Sequence, residues 1–269
     1  MSVIEKIYSY VFSSSPNNGA FNRSADGSTF STVLDYPIYI PDGALYCTLE
    51  VQSANIWYTT PNISIAKNNN TFSFQDELGA NHTVTFPNGL YDLTQLQTTL
   101  VNLLNNIPTP SAGDQYFTFS PNNATQKVLV TYEQANTQIF WTTSTIRSIL
   151  GFNAVDAGIQ PAGTTLSGQN VAAFNTLTSF LIHAQNLINV GLPVNNTYNQ
   201  VIANVFVNVL PGSLINYTPE NPPKVVSNEL IGALRSNITF SLTDQDNVNV
   251  DTNGEYWSFT IVIRYFVRV

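Results

Sequence analysis

Ionisable side chains are scarce in this chain: Lys and Arg number 9 and Asp and Glu 17 in 269 residues, or 10% charged, against about 25% in an average globular domain. Asn, Thr and Ser supply the polarity instead. Burying an amide costs far less than burying an unpaired ion, so such a surface suits extensive packing against neighbours. The few cations are scattered and the net charge is −8, so no basic stripe exists to neutralise phosphates and no direct nucleic-acid binding is expected.

Cysteine and histidine are almost missing, with one Cys and two His. A zinc site needs a closely spaced Cys and His set, which is excluded. Cys47 lies in an apolar strand pattern and reads as a buried thiol in a reduced compartment. A nucleophilic triad would have to use His82 or His183, each in or beside an expected strand, and both read as structural. No phosphate-cradling glycine motif is present. The chain is therefore expected to be neither an enzyme nor a cofactor binder. The leading enzymatic alternative is a pair of carboxylates working on a sugar, which sequence cannot bring together.

Long apolar runs are lacking too. The stretch Met1 to Phe12 is interrupted by Glu5 and Lys6, too short for a membrane span or a signal-peptide core, which predicts cytosolic synthesis. Within it Val3, Ile4, Ile7, Tyr8 and Val11 recur at helical spacing, followed by a Ser, Asn, Gly and Asp stretch from Ser13 to Ser28. This predicts a helical assembly arm on a flexible tether, residues 1–29, ahead of a single domain at 30–269. The alternative is an ordinary first helix packed on its own domain.

What is abundant is period-two patterning. Ile238, Phe240 and Leu242 alternate with Thr239 and Ser241, and Trp257, Phe259, Ile261, Ile263, Tyr265 and Val267 alternate with Ser258, Thr260 and Arg264. Each predicts a half-buried strand. Val201 to Val209 predicts another, and earlier strands are expected over Phe30–Ile40, Leu45–Thr59, Ile63–Ala66, Phe72–Gln75 and Thr83–Phe86. Turns such as Pro41-Asp42-Gly43 and Pro211-Gly212 separate them, the pattern of a β-sandwich.

One stretch departs from this period: Leu93, Leu96, Leu100, Leu103, Leu104 and Ile107 predict a helix, with Asp92 and Gln95 as a capping box and Pro108 as its stop. A hairpin over Tyr116–Phe119 and Lys127–Tyr132 follows, then a helical turn from Ser144 to Leu150. The acidic segment Asp244 to Glu255 is oxygen-rich. Aligned as a calcium loop from Asn249, it places Thr260 where a bidentate Glu is required, so it reads as a hairpin loop.

Taken in order, several of these motifs look familiar. Pro87-Asn88-Gly89-Leu90-Tyr91-Asp92, the Tyr116 to Tyr132 hairpin and Ser148-Ile149-Leu150-Gly151-Phe152 resemble an insertion in capsid proteins of eukaryotic DNA viruses. Pro211 to Tyr217, Leu242 to Asn247 and Gly254 to Phe259 resemble the closing strands of penton proteins of virophages, polinton-like viruses and related large DNA viruses. The resemblance implies an all-β fold, a single jelly-roll β-sandwich with a helix-plus-hairpin insertion at about 88–160. It implies a virion protein forming a homopentamer at fivefold vertices, with the major capsid protein and other minor capsid proteins as partners. Alternatives are a cement or spike-base protein, or a receptor- or carbohydrate-binding sandwich.

Overall fold

A computed structural model describes residues 2–107, 115–194 and 197–269. The chain divides into two compact units, one running up to Thr60 and resuming at Leu177, the other spanning Pro61–Thr176.

The first unit is built on eight strands: β1 (Val3–Ser13), β2 (Thr29–Tyr39), β3 (Ala44–Trp57), β4 (Ser179–Gln185), β5 (Val201–Phe206), β6 (Leu214–Tyr217), β7 (Leu234–Asp244) and β8 (Ser258–Arg268). They pair antiparallel in two sheets, β1-β8-β3-β6 and β5-β4-β7-β2. Two short strands, Val225–Val226 and Ala20–Phe21, extend the first along β3 and the second along β2. Every sequential neighbour between β3 and β8 except β4 and β5 thus lies in the opposite sheet or across a gap in its own. This is the strand order of a jelly roll, two Greek keys folded face to face. The all-β class expected from the alternation is the one observed.

Alternation explains which side chains fill the space between the sheets. Phe259, Ile261, Ile263 and Tyr265 of β8 are buried opposite Ala54, Val51, Leu49 and Cys47 of β3, and Phe30, Ile238, Phe240, Leu242, Ile182 and Ala184 come from the other sheet. Phe240 sits at their centre, its ring 4.6 Å from Phe12, 5.5 Å from Phe30 and 4.9 Å from Phe259. Trp257 is anchored at one end: its Nε1 donates to Gly27 O at 3.1 Å and its backbone N donates to Ser14 Oγ at 2.9 Å.

Two expectations at the amino end are corrected. Residues Val3–Ser13 form a strand rather than a helix, paired with β8 through eleven successive partners without a shift. Residues from Ser14 to Ser28 are a structured connection rather than a flexible tether. Gly19 takes the left-handed conformation at φ 82°, and Asp26 Oδ1 accepts from Ser24 Oγ, Ser28 N and Ser28 Oγ at 2.5, 2.9 and 2.7 Å. The segment's polar side chains thus satisfy its own backbone, and Ser14 and Ser28 are wholly buried.

The second unit has its own core. Strands Asn81–Thr85, Thr71–Gln75 and Gln138–Ile139 form one small sheet, and Thr165–Ser167, Lys127–Tyr132 and Phe117–Asn122 another. Helix α1 (Leu93–Leu104) starts at the expected capping box: Asp92 Oδ1 accepts from Gln95 N at 2.7 Å and Gln95 Oε1 accepts from Asp92 N at 3.1 Å. Its buried Leu96, Leu100 and Leu104 join a core that includes Phe72, Phe74, Phe117 and Trp141. The expected stop, Pro108, lies outside the described residues. Helix α2 (Arg147–Leu150) ends at Gly151, φ 79°, where a Cβ would approach Asn170 O to 2.3 Å. The expected strand over Ile63–Ala66 is instead a single bridge, Ile63 to Gly89, leading into a turn closed by Asn68 N donating to Ile65 O. The unit is also wider than the insertion expected at about 88–160, because Pro61 to Phe86 packs into the same core.

Truncating Phe240 to Ala removes a fully buried ring with three aromatic neighbours. Stability should fall by about 3–5 kcal/mol, whereas Val11→Ala, at a side chain 74% exposed, should change it by less than about 0.5 kcal/mol. Urea denaturation of both variants reads the difference; equal midpoints would contradict the assigned core.

Candidate assembly surface

All five residues expected in an assembly arm lie on β1, and all are exposed: Val3 55%, Ile4 40%, Ile7 52%, Tyr8 37% and Val11 74%. The strand divides them between two faces. Val3, Ile7 and Val11 lie with Glu5 on the outward face; Ile4 and Tyr8 share the inward face with Tyr10 and Phe12. Only Phe12 reaches full burial in the core.

The strand is fastened in two ways. Its ladder with β8 runs from Ser2, whose N donates to Val269 O at 3.2 Å, to Ser14, whose N donates to Trp257 O at 2.9 Å. Across the outward face Arg264 of β8 then bridges three strands. Its Nη1 donates to Glu5 Oε1 of β1 at 3.2 Å, and its Nε and Nη2 each donate to Glu50 Oε1 of β3 at 3.1 Å. The Glu50 side chain is 5% exposed, and this guanidinium is the ion that pairs with it there. Nearby, Tyr46 stacks on Phe266 with centroids 4.4 Å apart.

The outward face of the other sheet is a field of hydroxyls, amides and one imidazole. Ser31 Oγ and Thr239 Oγ1 are 2.9 Å apart, and His183 Nε2 is 2.9 Å from Thr243 Oγ1. Beside them His183, Asn189, Asn199, Gln200 and Asn247 line an open depression of about 400 Å³. Burial holds the His183 imidazole down at about 4, so it is neutral near pH 7.

The groups singled out for chemistry are placed as follows. Cys47 is fully buried and its thiol is pushed up to about 12, first by burial and then by the charge of Glu229. His82 Nε2 lies 2.9 Å from Asp76 Oδ2, while Asp76 Oδ1 accepts from Leu78 N and Ala80 N, which makes the pair the lock of a hairpin turn. Burial alone would raise the Asp76 carboxyl, but these hydrogen bonds hold it below its usual range. In the acidic loop Asp244 Oδ1 accepts from Asp246 N and Val248 N, and Asp251 Oδ1 from Asn253 N. Its carbonyls at Gly254 and Glu255 accept from Arg23 Nη2 at 3.3 and 2.7 Å, and that guanidinium lies 4.9 Å from the Tyr256 ring. A protein cation therefore occupies the Glu255 carbonyl, the backbone oxygen that a calcium loop aligned from Asn249 would offer to an ion. Among the described residues no group of three or more His, Cys, Asp or Glu converges, and no helix is long and apolar enough to cross a membrane.

The strand order defines the first unit as a jelly roll, and solved structures of similar fold include two from virophages. The mavirus penton protein is similar at a TM-score of 0.48 and 12% identity, over 98% of this chain and 100% of that one. A chain of the Sputnik virophage structure is similar at a TM-score of 0.41 and 14% identity, over 96% and 97%. No protein-family model matches the chain, and no curated protein matches its sequence.

The depressed pKa of His183 makes a signed prediction. Below about 6.5 the unfolded chain takes up a proton at this residue that the folded protein refuses until about 4. Stability is therefore complete above the upper value and declines as pH falls through the window between them. Replacing His183 with Gln should flatten that part of the profile, measured by urea unfolding across the window. Parallel profiles for the two proteins would show that His183 does not titrate there. Asp76 contributes separately, losing its stabilisation only as pH falls through a lowered carboxylate range.

Proposed function

We propose that the chain is a structural protein of a viral capsid, a penton subunit that forms a homopentamer closing the fivefold vertices of an icosahedral shell. The observation that carries this reading is the eight-strand jelly-roll order, β1-β8-β3-β6 facing β5-β4-β7-β2, interrupted between β3 and β4 by a second unit with its own core. The ordered sequence motifs within both units support the same reading. A rigid two-sheet body presents different flanks, and one heterologous contact repeated by rotation closes a ring. Because jelly rolls also serve lectins and cupins, the fold alone does not decide function.

The surface chemistry favours assembly over catalysis. Exposed apolar side chains such as Val3, Ile7 and Val11 need a cover. Beside the second sheet the amides of Asn189, Asn199, Gln200 and Asn247 line an open depression and can be buried against a neighbour without stranding a charge. In this reading Val3, Ile4, Ile7, Tyr8 and Val11 belong to the assembly surface, the major capsid protein and other minor capsid proteins are the neighbours, and the mature location is the virion. Synthesis in the host cytoplasm belongs to the same proposal.

Negative-stain class averages of the purified chain at rising concentration should contain fivefold rings, and mass photometry should give five times the monomer mass. Those rings should persist at about 1 M salt, where screening reaches about 3 Å, because contacts rich in amides and hydroxyls depend little on long-range charge. Particles that lack the chain at their vertices would overturn the reading. Rings that come apart on modest addition of salt would overturn the account of their contacts.

A further inference from the structure

Strand β1 is an open edge, and its backbone phase can be read from the ladder. Ser2 and Val269 exchange both hydrogen bonds, and the constant pairing with β8 extends that phase along the strand. Even-numbered residues of β1 therefore bond to β8. In an antiparallel ladder the intervening residues point their N–H and C=O the other way. Val3, Glu5, Ile7, Ser9 and Val11 thus offer donors and acceptors along an edge that pairs with no described strand.

Protected edges carry proline, bulges, short length or several charges. This one has eleven residues paired without a bulge, no proline, and only Glu5 and Lys6 as charges, Glu5 being engaged by Arg264. Its exposed apolar side chains occur on both faces. A strand with these properties is a template for another strand, and its own sequence specifies which.

We propose that, outside any larger assembly, β1 pairs antiparallel with β1 of a second copy about a twofold axis at Ile7, joining the β1-β8-β3-β6 sheets of the two copies edge to edge. Residues with free backbone groups must face one another, which restricts the axis to a residue position. Centred on Glu5 or Lys6, the pairing sets like charges directly opposite. Centred on Tyr8, it places Glu5 against Val11 and Lys6 against Tyr10. Centred on Ile7, it places Val3 opposite Val11 of the second copy, Ile4 opposite Tyr10, Glu5 opposite Ser9, Lys6 opposite Tyr8 and Ile7 opposite itself. Centred on Ser9, it matches side chains equally well but leaves Val3 and Ile4 without partners; among the registers that engage those two, the one at Ile7 alone matches apolar with apolar, opposes no like charges and sets the Lys6 ammonium beside an aromatic ring. Each strand presents the same patch to the other, as a twofold contact requires.

The inference goes beyond the ring reading and fails separately from it. Ile7 is 52% exposed and its N–H points away from β8, so substitutions there leave the backbone ladder with β8 intact. Ile7→Lys and Ile7→Glu each place like charges face to face at the axis. Sedimentation velocity of the full chain should show an even-numbered species, a dimer or a decamer of two rings. Each variant alone should need about tenfold higher concentration to form it, and an equimolar mixture of the two should recover it. Unchanged thermal unfolding of the dilute variants confirms that they are folded. Absence of an even-numbered wild-type species, unaltered pairing of both variants, or a mixture no better than either alone would overturn the proposal. Dimers without rings would leave it standing and count against the pentamer; rings that never pair would do the reverse.

Discussion

The alternation of β8 is the constraint on which the first unit depends. This strand lies between β1 and β3, so its inward residues Phe259, Ile261, Ile263 and Tyr265 meet apolar partners in both neighbours and across the sandwich. Its outward Arg264 ties the same two neighbours together by charge. A one-residue slip would carry the guanidinium into the core and the aromatic rings into water. Its neighbours β1 and β3 are thereby fixed in register by side chains on opposite faces of a single strand.

Much of this was legible in the sequence because it is local. Strands β7 and β8 alternate cleanly, and α1 announces itself through Asp92, Gln95 and a leucine stripe. What was not legible is instructive. Positions 3, 7 and 11 are four apart, as are 4 and 8, and a spacing of four satisfies both a helical stripe and one face of a strand. The choice between them was made by β8, some 250 residues away, which offers a full ladder. Strand β4, expected only as a strand at or beside His183, was given no bounds for the opposite reason: Phe180, Leu181 and Ile182 are all buried, so no alternation marks its extent. The five residues expected in an assembly arm lie together on β1, yet their division between two faces depends on a conformation that spacing could not choose.

Several of the few ions in the chain have a local structural task. Arg264 joins three strands, and Arg23 holds the loop before β8 by its carbonyls and by the ring of Tyr256. Asp26 and Asp76 each accept several hydrogen bonds within a tight turn. Most of these ions act by hydrogen bonding at contact distance, where screening by salt is weak compared with its effect on separated surface charges. The outward surface is left to hydroxyls, amides and apolar side chains, a composition tolerant of burial from many directions.

That tolerance has a cost, because charge is also what keeps sheet edges apart. A jelly roll that used lysines to guard β1 would place ions at a contact surface and lose their hydration on assembly. With Glu5 already bound to Arg264 and Lys6 on the other face, β1 keeps a nearly uncharged outward face. An edge so open to engagement is also unprotected in the free chain. Pairing with an identical edge resolves this without new sequence: every free backbone group finds a partner, apolar side chains cover one another, and release requires no change in the fold of either copy.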